Sequence, residues 1–223
     1  MSQRTAQQTA PTGVPTTQTK RLLACGIVAG PLFLAVSLIH AFAREGFDLS
    51  RHPLSLLSLG DLGWIQIANF VVTGVLYLAC AVGMWRVLHP GRSGTWGPLL
   101  VGGLGVGLIM AGVFVTDAGA GFPPGAPAGT PEISWHGVLH SVGAVVAIDG
   151  MIVGALVFAR RFAALKQWGW VTACVATAVA TLAVSLWPDP DSISVRLVLA
   201  TAIVFGFVAA LAARLMRGLP EPD

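Results

Sequence analysis

Two imidazoles stand four residues apart in Trp135-His136-Gly137-Val138-Leu139-His140, at the head of an apolar run that reaches Ala159. On a helix this spacing puts both rings on one face, a turn apart. A pair of that kind can ligate zinc, with Asp117 or His40 completing the shell and an open position holding an activated water. That chemistry would make a metal-dependent intramembrane hydrolase, and zinc is the one cofactor these residues suggest. A second reading is a polar pocket for a lipid headgroup or small polar ligand, in which Arg44 or Arg51 meets a phosphate. A third is purely structural: the histidines bond Asp117, Asn69 and loop carbonyls and hold helix ends together. The residues alone name no reaction.

What must position these groups is a membrane bundle. The chain has 223 residues, is 55% hydrophobic and only 10% charged, and its mean hydropathy is +0.77. Soluble domains carry roughly 25% charged residues. The deficit lies in stretches close to the ~20 residues needed to cross a bilayer core. The sequence pI near 9.1 does not point to nucleic acid, because the basic residues flank apolar segments and so set topology. Cys25, Cys80 and Cys174 all fall inside apolar runs and read as small packing residues, not as a disulfide framework.

Residues 1–19 are rich in Gln, Thr and Pro and are expected to be a disordered tail. A six-helix membrane domain is expected over 20–217, with a short tail over 218–223. The first span, Leu22 to about Ala43, holds Gly26-x-x-x-Gly30, a spacing that lets helix backbones approach closely, and carries Ser37, His40 and Arg44 on one face. Pro53 to Gly60 is too short to span and predicts an interfacial or re-entrant helix. The second span, about Leu62 to Leu88, places Gln66, Asn69, Thr73 and Tyr77 at 3,4,4 spacing, which is a single polar stripe. A Gly-dense third span, about Trp96 to Thr116, ends at Asp117. The connection from Ala118 to Glu132 is rich in Gly and Pro, which predicts neither a helix nor a ladder of backbone hydrogen bonds. The fourth span, about Ser134 to Ala159, carries the histidine pair and, deeper, Asp149. Two more follow, about Trp168 to Trp187 and Ser194 to Leu215, and Trp residues mark several span ends as interface anchors do.

Six spans put both termini on one side. The tails and even-numbered loops carry ten Lys and Arg residues and the opposite side carries three, so the positive-inside rule predicts cytoplasmic termini in the cell membrane. His40, Arg51, His52, Asp61, Gln66, Asn69, Asp117, His136, His140, Asp189 and Asp191 then gather in the outer half, and the candidate polar site is His40, Arg44, Arg51, His52, Gln66, Asn69, Asp117, His136 and His140. The expected partners are the lipid bilayer and a lipid or small-molecule ligand.

The chain resembles a prokaryotic membrane family catalogued only as domain of unknown function 998. The residues that carry the resemblance are Asp48, His52-Pro53-Leu54-Ser55-Leu56-Leu57-Ser58-Leu59-Gly60 leading into Gly63-Trp64-Ile65, then Phe114 with Asp117, and His136-Gly137-Val138-Leu139-His140. Val115 departs from the proline that the family pattern favours after the phenylalanine. The resemblance covers roughly residues 20–215 and implies a six-helix membrane domain with no established activity. In outline the histidine pair also looks like that of intramembrane ceramidase-like hydrolases, although Ser37 and His40 are three apart where those enzymes have a Ser-x-x-x-His spacing.

Overall fold

The structure, a computed structural model, describes residues 16–129, 132–189 and 192–220. Residues 1–15 of the tail expected over 1–19, Arg4 among them, together with Asp191 and residues 221–223, lie outside the described residues. The elements in chain order are α1 (Thr16–Ala43), a short 3-10 helix (Leu54–Ser58), α2 (Gly63–Leu88), α3 (Arg92–Val113), α4 (Trp135–Ile148), α5 (Gly150–Ala164), α6 (Trp168–Ser185) and α7 (Ile193–Arg217). Together α4 and α5 form one span, so six helical segments are long and apolar enough to cross a membrane. The protein is an all-α, multi-pass membrane bundle. Its surface matches that solvent: Val72, Val75, Val82, Val106 and Leu182 face outward, and the span-end residues Trp64, Trp96, Trp135, Trp168 and Trp187 are exposed.

The spans close into a ring. Helix α2 packs between α1 and α3, α3 lies against α4 and α5, α5 against α6, α6 against α7, and α7 returns to α1. Glycines set the close approaches, as the Gly-dense third span implies. A Cβ on Gly74 would lie 2.6 Å from the Gly105 carbonyl oxygen, and one on Gly143 would lie 2.7 Å from that of Gly107, so the α2–α3 and α3–α4 backbones touch. Gly26 and Gly30 meet Cys80 and Phe205 in the same way.

Three local expectations change. Helix α1 begins at Thr16, so residues 16–19 of the expected tail are helical, and Thr19 is buried. The fourth span is interrupted at Asp149, where α4 stops and α5 starts. There the Ser185 hydroxyl donates to Asp149 Oδ1 at 2.9 Å, tying the interruption to α6. Finally, the 118–129 connection does make backbone hydrogen bonds: Ala120 N to Gly129 O at 3.0 Å, Gly121 N to Pro127 O at 3.0 Å and Phe122 N to Gly119 O at 3.1 Å. Positive φ at Ala120, Gly121 and Gly125 folds this segment back on itself, which the breakers permit instead of prevent. Its Phe122 ring is fully buried, edge-on to Phe47 and tilted against His52.

Candidate functional site

The end of the bundle away from the termini is capped by two loops that lock together. Gly60, at φ +72°, stops the segment after the 3-10 helix and leaves room for the Arg44 guanidinium, whose Nη2 donates to the Leu59 carbonyl at 2.7 Å. The same guanidinium lies 5.4 Å from the centre of the Phe122 ring. His52 is buried; its Nδ1 accepts from the Asp48 amide at 2.9 Å and its Nε2 donates to the Ala120 carbonyl at 3.0 Å. Those partners assign the proton to Nε2. Ser194 Oγ, at the start of α7, lies 2.7 Å from both the Leu49 and the His52 carbonyl oxygens and shares one hydrogen between them. Arg51 is exposed. The Ser50 hydroxyl and then its amide, both bonding the side chain, hold the Asp48 carboxyl below its usual range.

The α1–α2 contact carries the predicted polar stripe. Gln66, Asn69, Thr73 and Tyr77 are all buried. Asn69 Nδ2 donates to the Phe33 carbonyl at 3.0 Å and to Ser37 Oγ at 3.1 Å, and Gln66 Nε2 donates to Ser37 Oγ at 3.0 Å. His40 lies on the same buried face of α1, one turn beyond Ser37, with neither ring nitrogen hydrogen-bonded to a protein atom. It belongs to this wall and not to the histidine pair.

The pair itself joins α4 to the end of α3. Ser134 caps α4, accepting from the Gly137 amide at 3.1 Å. Asp117 reaches back to the same turn: Oδ2 accepts from the Ser134 amide at 3.0 Å and Oδ1 from the Ser134 hydroxyl at 2.5 Å. Loss of solvent pushes the Asp117 carboxyl up, but the Ser134 bonds and the nearby His136 and His140 outweigh it and hold the group below its usual range. His136 Nδ1 donates to the Val115 carbonyl at 2.8 Å and lies 3.7 Å from Asp117 Oδ1. His140 Nδ1 donates to the carbonyls of Ala111 at 2.8 Å and Phe114 at 3.0 Å, the last unsatisfied acceptors of α3. Both rings thus spend Nδ1 on backbone and keep Nε2 as the lone-pair nitrogen. Asp117 sits on the Nδ1 side of His136, away from those lone pairs. Among the described residues no three His, Cys, Asp or Glu side chains are grouped to hold a metal ion.

Beside His140 the ring of helices encloses a cavity of about 360 Å³, walled by α1, α2, α3, α4 and α7 and roofed by Pro53, Leu54 and Ser55. Its walls are chiefly apolar, with Phe33, Phe70, Leu108, Ala144 and Leu197, and no Asp, Glu, Lys or Arg lines it. Of the nine candidate site residues it touches His140 alone. Helices α4 and α7 barely meet, and between them the cavity residues Val145 and Leu197 are 55% and 42% exposed, so the cavity opens sideways.

A family model described as a protein of unknown function (DUF998) matches residues 27–214, most of the chain. The chain belongs to the DUF998 family. No curated protein and no solved structure matches this DUF998 chain. Several parts of the DUF998 site escape a reading of residue types. Ser134 carried a usable signal, a capping residue directly ahead of an apolar run. Phe122 and Ser194 carried none, because a loop ring and a helix-start hydroxyl acquire partners only when distant segments meet.

Proposed function

We propose that this protein binds a lipid from the surrounding bilayer in the cavity beside His140. The observation that carries the reading is the lateral opening between α4 and α7 into a mostly apolar chamber with one imidazole in its wall. A volume of this size falls in the range of small-molecule sites, and a few polar groups in apolar walls are what orient such ligands. The basic residues that form a phosphate pocket in the alternative arrangement are engaged elsewhere or exposed, Arg44 on Leu59 and Phe122 and Arg51 at the surface. The protein resides in the cell membrane with cytoplasmic termini, supported by the ten-to-three distribution of Lys and Arg. The cavity then lies in the outer half.

The test is photolabelling in nanodiscs with a lipid that carries a diazirine on its chain. Labelling concentrated on α4 and α7 and reduced by Ala144→Phe supports the reading. Labelling spread evenly over outward faces such as α6 and indifferent to that substitution overturns it.

A second reading, a metal on the Nε2 atoms of His136 and His140, is supported by their Nδ1–H bonds to backbone carbonyls, an arrangement that orients imidazole ligands. Stoichiometric zinc in detergent-purified protein, lost on His136→Ala, supports it; zinc content unaffected by that change removes it.

A further inference from the structure

We infer that the lipid taken by this cavity is a neutral one whose head donates a hydrogen bond, an alcohol and not a phosphate or carboxylate. The inference rests on the lipid-binding reading and specifies its ligand class. With Nδ1 committed to the Ala111 and Phe114 carbonyls, His140 presents only the Nε2 lone pair to a ligand. Ser141, the next residue of the wall, spends its one hydrogen on the Gly137 carbonyl at 2.9 Å and so also offers lone pairs. Acceptors of this kind in the wall call for a ligand that donates.

Charge points the same way. An anionic head buried here would meet no Lys or Arg in the wall, while facing the lone pairs of His140 and Ser141. An ion desolvated without a countercharge is strongly disfavoured. A hydroxyl escapes that cost and can also accept from a wall hydroxyl such as Thr201. A head that cannot donate leaves Nε2 unpaired in an apolar chamber, so the site discriminates by what a mismatched head leaves unsatisfied.

The experiment uses the full-length protein in nanodiscs and a diazirine-bearing hydrocarbon-chain photoprobe, competed by dodecanol, dodecyl methyl ether and dodecanoate. The three share a chain and differ in the head: a donor, a neutral head without a donor, and an anion. Dodecanol is expected to compete about tenfold better than either of the others. In His140→Phe, which removes the imidazole acceptor and leaves only Ser141, the advantage of dodecanol over its ether is expected to shrink severalfold. Should that variant not purify as a monodisperse species, the wild-type ligand series decides alone. Equal competition by all three, or preference for the ether or the carboxylate, overturns the donor requirement while the cavity reading stands. No competition by any of them, with labelling unchanged by Ala144→Phe, overturns the cavity reading itself.

Discussion

Asp117 occupies the space that a side chain on Gly137 would fill. A Cβ built at Gly137 would collide with Oδ2 of that carboxylate, which both Ser134 bonds hold over the first turn of α4. A carboxylate there also meets the positive end of the helix dipole. Gly137→Ala should therefore destabilise the bundle by about 1–3 kcal/mol, through overpacking and loss of the cap. Gly150→Ala, where nothing lies within 4 Å of the added carbon, should be neutral. Thermal unfolding of the two variants in one detergent checks the contrast, and equal midpoints would contradict the docking described.

The same carboxylate predicts an acid limb. Its folded-state pKa lies below the ordinary 3.8, so its stabilising contribution is complete above that value and is lost as pH falls through the lower folded one. Asp117→Asn should flatten this part of the stability profile and leave the neutral-pH side unchanged in slope. A profile that is already flat in the wild type below pH 3.8 would contradict it.

Arg44 and Arg51 should behave differently although both are basic and lie close in sequence. Arg44→Ala removes the bond to Leu59 and the contact with Phe122, and should cost about 1–3 kcal/mol. Arg44→Lys should restore only part of it, because a point charge neither stacks nor forks. Arg51→Ala, at an exposed position, should stay within about 0.5 kcal/mol of wild type. A phosphate-binding role would instead leave stability unchanged in both and weaken binding of a phospholipid headgroup.

Orientation in the membrane is open to a direct measurement. With cytoplasmic termini, a cysteine placed at Ala126, which sits in the loop between α3 and α4, should react with an impermeant thiol reagent on intact cells. Reaction only after the membrane is opened would invert the topology.

The six spans could be read from the sequence because crossing a bilayer demands a length and an apolarity that are local properties of the chain. The buried stripe of Gln66, Asn69, Thr73 and Tyr77 was legible for a related reason: helical period alone puts such residues on one face, and hydrocarbon disfavours turning that face outward. One-face placement of His136 and His140 follows likewise. Period is silent, however, about which ring nitrogen is spent and on what. Only the meeting of α3 and α4 decided that Nδ1 of each histidine goes to a carbonyl of Ala111, Phe114 or Val115. The interruption at Asp149 had a local hint in the Asp149-Gly150 pair, yet the bond that ties it to Ser185 spans 36 residues. The cavity left no local trace, because it is bounded by residues from five helices and exists where α4 and α7 barely meet. A single chain segment encodes the face it presents; the space between faces is set only when all of them are packed.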